Sequence, residues 1–340
     1  MRLASTLVFF LIAAPSLAET PPERQFDFWI GEWDVDLRIR QDDGSWPKSV
    51  RADAHIYPVL GGKAILELWD SDNIKGYSLR YYDPAKEKWV LWLNWPGPNR
   101  SGQSSLEGAF RHGRGEFFTT QELPDGKERI SRYTFSDITP DSLRWDDGFS
   151  TDGGKTWAGN WIMEFTRRAS VPSWPPAGRP AHTHAPSNRC DREEFRAVEV
   201  LDGVRTGTIE RRLPDGSWSK APALLRGHRV LGGCAVMVFL ETSVGDQPHE
   251  ECWHVTYNTY AEVFALGRLD ARPGTPLRRY FGPRSNGTLS LVHRAADEAR
   301  TPVQKVTLTP GSDGSLLLEQ HDTRDGGQSW TLSARGMLHR

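Results

Sequence analysis

Trp33-Asp34-Val35-Asp36-Leu37-Arg38-Ile39-Arg40 decides the fold. Trp33, Val35, Leu37 and Ile39 alternate with four charged residues, and a period of two places one set on each face of a β-strand. Asp42-Asp43-Gly44 follows as a turn signal. Similar runs over 49–57, 63–70, 76–83, 88–95, 115–122, 129–136 and 157–166 are mostly bounded by Gly, Pro, Asp or Asn, and no amphipathic helix longer than a turn or two intervenes. Many short strands at close spacing predict an all-β antiparallel class, barrel or sandwich.

The landmarks around this stretch occur twice. Gly31 precedes Asp43-Gly44-Ser45-Trp46, and Gly203 precedes Asp215-Gly216-Ser217-Trp218 at the same distance. Val59-Leu60-Gly61-Gly62 returns as Val230-Leu231-Gly232-Gly233, and Asp152-Gly153-Gly154-Lys155-Thr156-Trp157 as Asp325-Gly326-Gly327-Gln328-Ser329-Trp330. The offsets are 172, 171 and 173, so the matches are in register and indicate an internal duplication. A stretch rich in Pro and small or polar residues, 169–189, separates the copies as an interdomain linker. The expected organisation is a signal peptide (1–18), a first barrel (19–168), the linker, and a second, diverged barrel (190–340).

In the last run of the first copy, Trp161, Met163, Phe165 and Arg167 share parity with Trp157. If that strand pairs with the first, Arg167 lies over the Trp33 ring and closes the barrel. Gly31-x-Trp33 with a late Arg resembles the lipocalin/calycin signature. A wider set of residues is similar to a domain-of-unknown-function family of secreted bacterial proteins with a lipocalin-like barrel. It comprises Phe26 to Val35, the Val-Leu-Gly-Gly strand ending Glu67-Leu68-Trp69, Tyr81-Tyr82-Asp83, Trp89, and Ser150 to Trp157. The resemblance covers about 25–168 and implies a fold and export, without an activity. The second copy departs from it, with Arg205 in place of the first-strand Trp and Asn258 near the Tyr-Tyr-Asp equivalent.

Composition limits the function classes. The 42 Lys+Arg nearly balance 44 Asp+Glu, so no basic excess exists to neutralise phosphates, and nucleic acid is not an expected partner. Met1-Arg2, the apolar Leu3 to Ala14, and small residues before Ala18 read as a secretory signal cleaved near Ala18, which predicts a periplasmic or secreted protein without a membrane anchor. Three cysteines, Cys190, Cys234 and Cys252, allow at most one internal disulfide, and the sequence does not select the pair.

The candidate site follows from an asymmetry between the copies. Of 14 Trp, ten precede residue 169, Trp174 lies in the linker and three come later. Two copies of one fold need similar cores, so the excess points to a cavity lined by amphipathic rings that stack on a ligand. The candidate ligand-binding residues are Trp33, Tyr57, Trp69, Tyr81, Trp92, Trp145 and Trp161; core filling is the alternative for each. His55 and Glu67 form a candidate catalytic acid–base pair if their strands are neighbours, whereas Glu67 has a structural role if it pairs with Arg80 or Arg132. Ser150-x-Asp152-x-Gly154-x-Thr156-Trp157 resembles the Asp-box of sialidases, but one box per domain falls short of a propeller and reads as a turn. His182-Thr183-His184 has metal-like spacing without a third ligand, and no motif selects a His for heme, so neither metal nor cofactor is expected.

The expectation is therefore an exported protein of two tandem antiparallel lipocalin/calycin-like barrels, binding an apolar, aromatic or sugar-like small molecule in the first. A hydrolase, isomerase or cyclase using His55 and Glu67 is one alternative, and a structural or interaction module is the other. Apolar Cys234 to Leu240 marks a strand buried on both faces, toward the first barrel or an oligomer partner.

Overall fold

The computed structural model describes residues 20–71, 75–95, 102–168, 190, 192–245, 247–272, 274–295 and 301–340. The expected signal peptide, and the linker with His182 and His184, lie outside the described residues.

The first copy is a closed up-and-down antiparallel barrel of ten strands. They are β1 (Gly31–Ile39), β2 (Val50–Val59), β3 (Ala64–Ser71), β4 (Lys75–Asp83), β5 (Lys88–Trp95), β6 (Gly102–Arg111), β7 (Arg114–Glu122), β8 (Glu128–Ser136), β9 (Ser142–Ser150) and β10 (Trp161–Arg167). The second copy runs through β11 (Gly203–Arg212), β12 (Trp218–Val230), β13 (Ala235–Val244), β14 (Gln247–Asn258), β15 (Val263–Asp270), β16 (Arg278–Gly282), a two-residue β17 (Arg284–Ser285), β18 (Thr288–Arg294), β19 (Pro302–Pro310), β20 (Leu316–Asp322) and β21 (Thr331–His339). Its ring closes where β16 pairs with β18. The protein is thus all-β, with two barrels in tandem, and closure leaves neither sheet an open edge.

The landmarks shared by the two copies are turns. Leu60, Gly61 and Gly62 take φ of 54°, 62° and 83°, and Leu231, Gly232 and Gly233 repeat this with 54°, 65° and 92°. Successive left-handed residues explain the glycine pair, because a Cβ is strained there. In the Asp-box turn, Asp152 accepts from the backbone and hydroxyl of Thr156, and Asp325 does the same for Ser329. Both boxes are local turn devices. Trp157, expected in the last strand, lies in this turn, where Arg132 covers its ring at 4.2 Å.

Short 3-10 turns at Pro22–Arg24 and Asp27–Trp29 plug one end of the first barrel. Phe26 and Trp29 pack there among Trp89, Phe110, Phe117, Phe135 and Phe165. Trp33 pairs with Arg167 across β1 and β10, and the guanidinium lies 4.0 Å over the indole. Arg167 also donates to the carbonyls of Phe28, Ile30 and Pro140, tying the plug to the barrel wall. In the second copy a helix (Glu193–Ala197) and a 3-10 turn (Val198–Leu201) form the plug, with Phe195, Val198 and Leu201 buried. The Cys190–Cys234 disulfide fastens this plug to the left-handed turn, and Cys252 stays free and buried.

The barrels meet along the outer face of β2–β5. Tyr57, Leu66, Leu68, Tyr77, Leu79, Tyr81 and Trp92 join one buried apolar cluster with Met237, Cys252 and Leu269 of the second copy. Trp92 stacks on His254 at 4.2 Å, and Tyr77 lies 4.9 Å from the same imidazole. Large rings bury on the order of 150–250 Å² each, so Tyr57, Tyr77 and Trp92 together remove enough apolar surface to supply on the order of 10 kcal/mol, an upper bound.

Candidate functional site: the interior of the first barrel

Register fixes which side chains face inward. Glu67 pairs with Ile56, and His55 with Leu68, on neighbouring strands. Adjacent residues alternate faces, so Glu67 points into the barrel and His55 points out. The expected His55–Glu67 acid–base pair is therefore overturned: the two groups stand on opposite sides of the sheet. The same alternation removes Tyr57, Tyr81 and Trp92 from the interior, since they pack in the seam between barrels. Trp33 faces inward but is covered at the plugged end by Phe165 and Arg167, and its indole N–H donates to the Trp29 carbonyl at 2.9 Å. It closes the barrel and is not available to a ligand. Glu67, Trp69, Trp145 and Trp161 do converge inside.

Two layers stack above the plug. In the lower layer, buried Glu67 accepts from the Ser78 hydroxyl at 2.8 Å and from Arg80 at 3.0 Å. Arg80 also spreads over the plug, 3.5 Å from the Trp29 ring centroid. Burial pushes the Glu67 carboxyl up, and Arg80 and Ser78 oppose that shift. Burial brings Arg80 down to about 10, so it stays cationic at neutral pH. The structural role weighed for Glu67 is the one observed, with Arg80 as partner; Arg132 instead covers Trp157.

The upper layer, toward the end opposite the plug, is aromatic. Trp69 lies 6.0 Å from Trp95 and 5.9 Å from Trp161; Trp95 and Trp161 are also 5.9 Å apart. Trp145 touches Trp161 edge-on at 6.1 Å and Tyr133 at 4.7 Å. Trp69 and Trp145 are buried, whereas Trp95 and Trp161 are partly exposed. Asp147 sits in this layer and accepts from the backbone N–H groups of Asn160 and Trp161 at 3.2 and 2.8 Å. Burial holds its carboxyl up at about 6, and burial raises the neighbouring Tyr133 hydroxyl to about 12. Arg129 lies over Phe149 at 4.3 Å. Sequence reasoning missed Arg80, Ser78, Trp95, Tyr133, Asp147 and Arg129 as site residues. A strand assignment for 142–150 would have put Trp145 and Asp147 on one face.

The second barrel is an internal control. By strand register Trp69, Trp145 and Trp161 correspond to Leu240, Leu318 and Ala334, and Tyr133 and Asp147 to Val306 and Gln320. These five second-copy residues line a cavity of only about 10 Å³, room for about one water. Glu67 and Arg80 correspond to Val238 and Val255. The second barrel's own buried charge, Glu251, is saturated. It accepts from Arg268 at 2.7 and 2.6 Å, Trp253 at 2.7 Å, His249 at 2.5 Å and Arg211 at 3.3 Å. His249, Glu251 and Asp270 bring metal-type ligand atoms within 4.8 Å of one another, but a cation there would have to displace the guanidinium groups already on Glu251.

Two grooves of about 450 and 380 Å³ flank the Leu60–Gly62 turn at the seam. Tyr81 and Tyr82 line the larger one, where Arg24 and Arg272 are already paired with Asp27 and Asp270.

No family model matches the chain, and no curated protein matches it. Among solved structures it is similar to a protein of unknown function from Nostoc punctiforme, of the DUF3598 family. That likeness covers 95% of this chain and 100% of the other, at 10% identity and a TM-score of 0.27. At that distance it brings no activity, and the family resemblance read from the sequence rests on the barrel fold alone.

Proposed function

We propose that this is an exported protein that binds a small ring-bearing molecule, aromatic or sugar-like, at the end of the first barrel opposite the plug. One observation carries the reading: the Trp69, Trp95, Trp145, Trp161 and Tyr133 rings cluster there above an ion-paired floor, while the second barrel has no aromatic residue at the equivalent positions, and Leu240, Leu318, Ala334 and Val306, the counterparts of all but Trp95, surround a water-sized cavity. Closed packing alone would need no such difference between two copies of one fold. The secretory signal in the sequence supports export, as does the disulfide, since disulfides persist in oxidising compartments. Among the described residues Glu67 is held by Ser78 and Arg80 while His55 faces away from it, which favours binding over acid–base chemistry, and the second barrel serves as a structural partner docked on the first.

The test is quenching of Trp fluorescence on titration with sugars, aromatic acids and fatty acids. A saturable response is expected from a ring-bearing class, and it should vanish in Trp69→Leu/Trp161→Ala, which installs the second barrel's residues. A response that survives those substitutions, or none from any class, sinks the proposal.

A further inference from the structure

The interior of the first barrel has an imbalance in its polar atoms. Trp69 Nε1, Trp161 Nε1, Arg80 Nη1 and Arg129 Nε are buried atoms with no hydrogen-bond partner among the described residues. Trp69 and Arg80 are 2% and 3% exposed. Of the acceptors beside them, Glu67 Oε2 takes Ser78 and Arg80 and Asp147 Oδ1 takes two backbone N–H groups, so a single buried oxygen without a partner among the described residues, Asn160 Oδ1, stands against these four nitrogens. Indole and guanidinium nitrogens only donate, so none of the four can be satisfied by an ammonium or another N–H.

These donors come with the rings as one set. In the second barrel the counterparts of Trp69, Trp161, Arg80 and Arg129 are Leu240, Ala334, Val255 and Pro302. Where the aromatic layer is missing, these four donors are missing too, and one buried guanidinium nitrogen without a partner among the described residues, Arg211 Nε, lines the water-sized cavity there. The charges balance: Arg80 offsets Glu67, and Arg129, with an aromatic face beneath it, is near enough to Asp147 to lower that carboxyl, so the unpartnered donors carry the preference.

We infer that the ligand of the first barrel is a ring compound whose polar edge presents hydrogen-bond acceptors, a carboxylate above all, and that ring compounds bearing an ammonium are disfavoured. This rests on the site proposed above and names the class of molecule it takes. Sites built to hydrogen-bond one functional group reject analogues lacking it by large factors, because the site's own buried groups are then left unpaired.

The experiment is isothermal titration calorimetry of the whole protein with three probes that share one ring system: 2-naphthoate, 2-naphthol and 2-(aminomethyl)naphthalene. At pH 7.5 the carboxylate is expected to bind at least tenfold more tightly than the amine, with the naphthol between them. Arg129→Gln should weaken 2-naphthoate at least fivefold and leave 2-naphthol within twofold. The circular dichroism spectrum and urea midpoint of the variant check its fold. Equal affinities, or tighter binding of the amine, would overturn the acceptor rule while leaving the aromatic site standing. Binding of none of the three would overturn the site reading and this inference together.

Discussion

The second barrel supplies the substitutions that best test why the first keeps a buried ion pair. Glu67 and Arg80 are 7% and 3% exposed and face each other at 3.0 Å. Removing one partner of such a pair leaves an uncompensated buried charge, which costs about 3–5 kcal/mol. Arg80→Val and Glu67→Val should each lose that much, roughly 6–20 °C in Tm at about 2–4 °C per kcal/mol. The double variant Glu67→Val/Arg80→Val installs Val238 and Val255 at their equivalent positions. Replacing both charges with apolar groups is often neutral or stabilising by about 1–4 kcal/mol. Ser78 loses its acceptor, which takes back about 1–3 kcal/mol. The double variant should therefore lie within about 2 kcal/mol of the wild type, a coupling of several kcal/mol against the sum of the singles.

Urea denaturation of the four proteins reads this directly. pH adds a second signature. In Arg80→Val, Glu67 loses its cation and its folded pKa rises further above the unfolded value. The raised pKa makes that variant most stable below the unfolded pKa, and stability is lost as pH rises through the folded one. Its deficit should be smaller at pH 4 than at pH 7. Additive single effects, or a double variant as unstable as Arg80→Val, would refute the reasoning. So would undiminished ligand binding by a stable double variant, because the pair would then serve neither stability nor the site.

Asp147 titrates at about 6 when folded, above its ordinary 3.8, so its stabilising contribution is full below about pH 4 and is lost as pH rises through 6. Asp147→Asn should consequently gain roughly 2 kcal/mol over the wild type at pH 8 and little at pH 4.5; an equal difference at both pH values in urea melts would contradict the assignment. At the seam, both ring nitrogens of buried His254 lack partners among the described residues, and burial holds its pKa well below the ordinary value. A depressed pKa means stability is present above about 6.5 and falls as pH drops below it, so His254→Leu should flatten the decline in stability between pH 7 and 5, and an unchanged slope would exclude His254 as its source. The Cys190–Cys234 bridge spans 44 positions, and closing such a loop removes unfolded-state entropy worth about 4 kcal/mol. A drop below about 1 kcal/mol in Cys190→Ser/Cys234→Ser would show that Phe195, Val198 and Leu201 hold the plug by packing alone.

The fold was legible where local chemistry is strict. Strand alternation in 33–40 and the Gly-rich turns at 60–62 and 231–233 depend only on backbone geometry, so they read directly from the chain. Strands β6 and β9 escaped notice because their inward positions break the apolar pattern. Gly108 is required there, since a Cβ would meet the Glu116 carbonyl at 1.9 Å, and Asp147 takes an inward position for its backbone hydrogen bonds. The face assignments of His55, Tyr57, Tyr81 and Trp92 failed for a different reason. Both faces of β2–β5 are buried, one in the barrel and one against the second copy, so hydrophobicity does not distinguish in from out. Only pairing register settles the direction, and a single strand does not contain it.

Register also explains why Arg205 stands where the first copy has Trp33. Arg167 reaches the carbonyls of Phe28, Ile30 and Pro140 from the last strand; Arg205 reaches those of Val200, Asp202 and Gly314 from the first. The first two carbonyls are each shifted by 172 positions and the third by 174, so one guanidinium clamp serves both plugs from different strands. The plug requires the charge and its acceptors, and the second copy's loss of Trp at this place is a relocation with no bearing on ligand binding. Sorting the ten first-copy Trp by such partners leaves a small remainder. Trp29, Trp33 and Trp89 hold the plug, with the Trp89 indole donating to the Pro22 carbonyl. Trp46 and Trp157 belong to turns with counterparts in the second copy, and Trp92 fills the seam. Trp69, Trp95, Trp145 and Trp161 alone have no structural duty that the second barrel repeats: its residues there are Leu240, Asp270, Leu318 and Ala334. A barrel closes without those four rings, as the second copy demonstrates, so their presence in the first is where selection for something other than folding has to be sought.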